Sequence, residues 1–205
     1  MQTLFTRRQT FTSLLVCAAL IGTGSVLPTP AAAMTESSAK ALVEALVADI
    51  NATISSGKSE AVMLSEFERI FARYADVPTI ARYSLGVDAR RATPAQIKEF
   101  TTIFQRMISR KYGKRFREMI GGQIDVQSVE VQEKAFRVKS VAKLRGQAPF
   151  EVSFLVSDRS GEDLFFNLYI EGINMLLAER VEIGAMLDRR GGDIDALIAE
   201  MRKAS

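Results

Sequence analysis

Glu171, Glu179 and Glu182 stand around the start of an apolar helical stretch. Paired acids can perform glycosidic chemistry, one as the acid and the other as nucleophile or base. No other catalytic spacing accompanies them. The chain has no histidine, and its single cysteine, Cys17, lies in an N-terminal segment that reads as a removable export signal. Those absences exclude Ser-His-Asp and Cys-His catalysis, thiolate chemistry and the common zinc sites. Carboxylates, lysines and tyrosines remain, so a hydrolase using Glu171 with a tyrosine or lysine is one reading. The other is structural: surface acids in water, or a buried acid paired with an arginine. The glycines at 121, 122, 191 and 192 have no lysine and hydroxyl in register for a phosphate loop and act as breakers.

The segment "SRKYGKRFRE", residues 109 to 118, places Arg110, Lys111, Lys114, Arg115 and Arg117 around Tyr112 and Phe116. Basic residues with interleaved aromatics can bind nucleic acid, but the charge of the whole chain argues against that partner. Once residues 1–33 are removed, Arg7 and Arg8 leave with them and no acid does, so 25 basic residues face 24 acidic ones. The cluster reads instead as a solvated helix face with its aromatics turned inward. Part of it could meet an anionic headgroup or an acidic partner.

The stretch "TRRQTFTSLLVCAALIGTGSVLPTPAAA", residues 6 to 33, runs from basic to apolar to small residues. This is the order of a secretory signal peptide. Its apolar run is too short for a spanning helix and is interrupted by Gly22, Gly24, Pro28 and Pro30. Arg7 and Arg8 followed by Gln9, Thr10 and Phe11 resemble a twin-arginine signal with the phenylalanine one place late. Cleavage after Ala33 leaves 172 residues, one domain over residues 34–205.

Within that domain, Leu42, Val43, Leu46, Val47, Ile50 and Ile54 recur at helical spacing, and a second helix runs from about Glu60 to Tyr74. Asp76 with Pro78 opens a short helix ending at Gly86. Thr93, Pro94 and Gln96 form a capping box for a long helix that continues to the glycine pair at 121, with Phe100, Phe104, Met107, Ile108, Tyr112 and Phe116 along it. The period then changes. Ile124, Val126, Val129 and Val131 mark one strand; Phe136 to Leu144, Phe150 to Val156 and Leu164 to Ile170 mark three more. Short turns between them predict an antiparallel meander, followed by helices over 175–188 and after Asp193. The fold class is α+β, a four-stranded antiparallel sheet packed against several helices.

The fourth strand raises a question. Alternation puts Leu164, Phe166, Leu168 and Ile170 on one face and Phe165 and Tyr169 on the other, so both faces are apolar. Long helices and two-faced strands offer more apolar surface than one two-layer core needs. Such spacing most often means a solid core, and what speaks for a ligand cavity instead is the quantity of apolar surface.

"LG" at 85–86, "RATPAQIKEFTTIFQRMISRKYG" at 91–113, "NLYIEGINML" at 167–176 and "RGGDIDALI" at 190–198, in this order, resemble the periplasmic phospholipid-binding MlaC family, also called the toluene-tolerance family. The family often has a serine shortly after the Glu-Gly pair, where this chain carries Ile173 and Asn174, and a tryptophan nearby, which this chain lacks. The resemblance implies a non-enzymatic carrier with no cofactor, which holds one phospholipid between sheet and helices. One face of the fourth strand would pack on helices while the other helps line the chamber. The carrier would exchange lipid with an outer-membrane lipoprotein–porin complex and with an inner-membrane ABC-type transporter through its MCE-domain subunit. The chamber is expected from Phe100, Phe104, Met107, Ile108, Tyr112, Phe116, Val152, Phe154, Phe166, Leu168 and Ile170, with Arg82 and Tyr83 near its mouth. A hopanoid or other apolar lipid is the alternative cargo, and a ligand-free protein-interaction module is the alternative class. Exported protein should begin at Met34 by intact-mass measurement; a retained N-terminus would contradict the signal reading.

Overall fold

The first helix begins where the sequence can cap it: the Thr35 hydroxyl accepts from the Ser38 amide, and the Ser38 hydroxyl accepts from the Thr35 amide. The computed structural model describes residues 33–113 and 121–204. The expected signal, apart from Ala33, and the segment 114–120 with Phe116 lie outside the described residues. From Thr35, α1 (Glu36–Ile54) buries Ala39, Val43, Leu46, Val47, Ile50 and Ile54. Next come α2 (Glu60–Tyr74), α3 (Val77–Ser84), a 3₁₀ segment (Gly86–Arg90) and α4 (Pro94–Gly113).

Two of the expected caps form as the residue types require. The Asp76 carboxylate accepts from the Thr79 amide at the start of α3. At α4, Gln96 Oε1 accepts from the Thr93 amide while the Thr93 hydroxyl accepts from the Gln96 amide. Helices α1 and α2 are tied where the Tyr74 hydroxyl donates to Asp49 Oδ2 at 2.7 Å.

The sheet is a meander in the order β1 (Gln123–Gln132), β2 (Ala135–Lys143), β3 (Phe150–Ser157), β4 (Leu164–Ile170) and β5 (Ile173–Asn174), antiparallel at every step. The four main strands match the expected ones, and β5 is a two-residue addition. Two bulges re-aim the strands. In β1 the register shifts between Val126 and Ser128, so the apolar series that stepped by two up to Val126 resumes at Val129. In β4, Asn167 pairs with Leu155 and Phe165 with the next residue, Val156, leaving Phe166 as the extra residue.

That second bulge corrects the expected alternation in β4. Phe165 does not share a face with Tyr169. Its ring lies 5.8 Å from Phe154 of β3 and 6.1 Å from Phe71 of α2, on the helix side. Tyr169 keeps the opposite face, covered by the Arg137 guanidinium 4.5 Å above its ring. A main-chain bond from the Asp76 amide to the Phe165 carbonyl, 2.8 Å, fastens the α2–α3 junction beside the bulge.

Helix α5 (Met175–Asp188) follows β5 directly, capped by Asn174, whose side chain accepts from the Leu177 amide. Asparagine is among the preferred N-cap residues. Helix α6 (Ile194–Ala204) starts at the expected Asp193 cap and packs on α4.

The β4–β5 turn is two residues, Glu171 and Gly172, with φ of 49° and 79°. Positive φ at both positions is the type I′ hairpin geometry, which favours Asn-Gly. Glu171→Asn should therefore stabilise the protein, by up to about 1 kcal/mol, read as a higher urea midpoint. A lower midpoint would mean that the Glu171 side chain makes contacts that outweigh its backbone strain.

Candidate functional site

Between the helices and the sheet lies a cavity of about 600 Å³, within the range of ligand-binding sites. Its wall draws on nearly every element. Helix α1 contributes Leu46 and Ile50; α2 contributes Phe67, Ile70 and Phe71; α3 adds Ile80. The sheet supplies Ile124, Ala142, Phe150, Val152, Phe154, Phe165, Phe166, Asn167, Leu168 and Ile170, and the β2–β3 loop supplies Leu144, Gln147 and Ala148. The wall is completed by Phe104, Ile108, Ser109 and Tyr112 of α4, Glu171 of the hairpin, and Met175, Leu176 and Glu179 of α5.

Of the residues expected from sequence, Phe104, Ile108, Tyr112, Val152, Phe154, Phe166, Leu168 and Ile170 stand on this wall. Phe100 and Met107 do not; both are buried in the core, Phe100 stacked on Phe104 with ring centres 5.6 Å apart. Helix geometry explains the division. At about 100° per residue, Phe104, Ile108, Tyr112 and Ser109 fall in a sector of about 140°, and Phe100 and Met107 fall outside it. Arg82 and Tyr83 are also away from the wall. Both are exposed, and Arg180 of α5 lies 5.0 Å above the Tyr83 ring. Phe116 lies outside the described residues.

The apolar face of α2 was legible, but nothing in its spacing says which space that face meets. Phe165 was missed because a bulge has no spacing signal in one sequence.

Polar groups on the wall are few. Asn167 is buried and engaged: its Oδ1 accepts from the amides of Leu168 and Leu176, and its Nδ2 donates to Asn174 at 3.0 Å. It thereby clamps β4 to the start of α5. Glu179 is buried as well, with Oε1 accepting from Lys111 Nζ at 2.7 Å and from the Tyr112 hydroxyl. Lys111 Nζ also reaches Glu182 Oε2 at 2.6 Å. Burial alone would lower the Lys111 pKa, but the hydrogen bonds and charges of Glu179 and Glu182 outweigh it and raise the pKa above the usual lysine value. Glu179 and Glu182 are thus bound through Lys111, and Glu171 sits apart on the hairpin. The buried acid has a lysine and a tyrosine as partners, where the sequence had suggested an arginine.

A family model described as MlaC protein matches residues 40–203. The chain belongs to the MlaC family. MlaC proteins are non-enzymatic lipid carriers of the periplasm, so the carboxylates have no catalytic office to fill. The fold is similar to the crystal structure of a phospholipid-binding protein from Ralstonia solanacearum in complex with a phospholipid, at a TM-score of 0.69 and 17% identity, covering 81% of this chain and 96% of that one. No curated protein matches the chain. The stretch "NLYIEGINML" covers the bulged strand after Phe166, the strained hairpin, the Asn167 clamp and the α5 cap.

Lys111→Met would leave Glu179 buried without its cation, and stability should fall by about 3 kcal/mol in urea titrations at neutral pH. Because the folded pKa of Lys111 is raised, the bridge contributes fully below the unfolded lysine pKa, near 10.4. Its contribution is lost as pH climbs through the folded value. The gap between wild type and Lys111→Met should accordingly narrow at strongly alkaline pH; a gap that persists there would assign the effect to packing.

Proposed function

We propose that this protein is a periplasmic phospholipid carrier that holds acyl chains in the cavity and ferries lipid between the two membranes of the envelope. The observation that carries the reading is the cavity, of about 600 Å³ and walled almost wholly by aliphatic and aromatic side chains. Membership of the MlaC family supports it, as does the shared fold of the Ralstonia solanacearum protein solved with a phospholipid. The N-terminal export signal supplies the compartment, and an outer-membrane lipoprotein–porin complex and an inner-membrane ABC-type transporter with its MCE-domain subunit are the proposed docking partners.

Physical chemistry explains why such a carrier needs no reaction. Hiding about 25 methylenes from water is worth roughly 20 kcal/mol at ~0.8 kcal/mol each, so a lipid without a carrier seldom leaves its bilayer. A bilayer hides the same methylenes. Carrier and membrane nearly balance, and direction must come from the docking partners or from ATP used elsewhere.

Val152 and Phe154 are side by side on the β3 wall and pair with Ile170 and Leu168 of β4. Tryptophan at either position should reduce the lipid that copurifies with exported protein, measured by native mass spectrometry, while the circular dichroism spectrum stays native. Undiminished lipid in both variants would defeat the cavity reading, and protein that never carries extractable lipid would favour the interaction-module alternative.

A further inference from the structure

The Met34 backbone N–H donates to Asp158 Oδ2 at 2.9 Å, across 124 positions of sequence. Asp158 opens the turn between β3 and β4, where its own carbonyl accepts from the Gly161 amide. The Met34 side chain is half-buried, packs on the core and lines a second cleft, of about 240 Å³, with Ala135, Phe136 and Ser157. The chain just after it is fixed as well, because Thr35 and Ser38 exchange amide and hydroxyl bonds at the start of α1. Met34 is therefore held by its backbone and by its side chain, and it is the residue at which the export-signal reading begins the mature chain.

Cleavage changes the chemistry of that donor. Hydrolysis of the Ala33–Met34 peptide bond by water leaves a carboxylate on Ala33 and turns the Met34 amide into an ammonium, which has three N–H donors. A positive charge there is opposed by the N-terminal end of α1 and by Lys134 and Arg159, which line the same cleft. Neither of those side chains is ion-paired with Asp158 among the described residues, and Lys134 Nζ lies 3.9 Å from Glu133 instead. Glu36 of α1 and Glu162 and Asp163 of the β3–β4 turn are the other acids on the elements that meet here. Asp158 is the carboxylate already bonded to the Met34 nitrogen, so it meets the new charge directly. We propose that Asp158 is the receptor for the amino terminus created by signal removal. The bond that holds the Met34 amide becomes a charge-assisted pair, roughly twice as strong as a neutral one, and it fastens α1 to the β3–β4 turn more firmly once the signal is gone. The tie rests on cleavage after Ala33 and not on what the large cavity holds.

The test uses exported protein, wild type and Asp158→Asn, each with its α-amine free or acetylated. At mildly acid pH acetic anhydride reacts with the α-amine ahead of the lysines, because its ordinary pKa, about 7.7–8.0, lies well below theirs. Acetylation restores a neutral amide N–H like that of the uncut chain. The pH dependence of the labelling should show the amine holding its proton about two- to fivefold more tightly in wild type than in Asp158→Asn, the range of an exposed ion pair. At mildly acid pH acetylation should lower the folding equilibrium constant of wild type by a similar factor and should not lower that of Asp158→Asn. Pairing raises the folded pKa of the amine, so the tie contributes fully below about 7.7 and is lost as pH rises through the folded value. Acetylation should accordingly cost wild type nothing at strongly alkaline pH. Matching labelling curves in the two proteins, or the same cost of acetylation in both, would overturn the tie and leave the lipid chamber standing. A mature chain that begins elsewhere than Met34 by intact mass would overturn the tie together with the signal reading.

Discussion

A cavity of about 600 Å³ with hydrocarbon walls sets the terms for the rest of this molecule. Left empty, such walls lose the contacts that close packing would give them. Filled with water, the same walls would forfeit the burial that drives folding. A ligand with long apolar chains removes both penalties, which is why the hollow and the proposed cargo belong to one argument. The fold must resist collapse onto the hollow while leaving room for the guest.

That resistance comes from how the wall is framed. The helices around the cavity are capped and tied at several points. The Asp49–Tyr74 bond joins α1 to α2, the Thr93–Gln96 box starts α4, and Asn167 fastens β4 to the first turn of α5. The bulge at Phe166 turns neighbouring aromatics towards the same space, and the Asp76–Phe165 main-chain bond pins that corner to the α2–α3 junction. Large fully buried side chains such as Phe100, Leu197 and Met201 form a solid core beside the hollow, and Phe104 belongs to both.

The polar corner of Lys111, Tyr112, Glu179 and Glu182 follows a different logic. A buried acid in a lipid chamber is costly unless it is paired, and the lysine stem crosses from α4 to α5 to pair it. The bridge therefore joins two wall helices. Chemistry that might have suggested a hydrolase becomes, in three dimensions, a strut.

Much of the fold was legible in the chain itself. Capping residues and apolar periods are local, so Asp76, Thr93, Gln96 and Asp193 announced their helices, and short turns between alternating stretches announced a meander. Composition alone removed histidine chemistry. What only the tertiary structure decided is where those apolar faces leave a gap. Phe104 and Met107 are equally apolar and lie three residues apart, yet only Phe104 reaches the wall, because rotation around α4 and the placing of β4 are set by partners distant in sequence. The bulge that brings Phe165 inward, and the meeting of Lys111 with Glu179 across two helices, depend on contacts between residues far apart in the chain. Periodicity reports which side of an element is apolar, and packing decides whether that side meets protein or a guest.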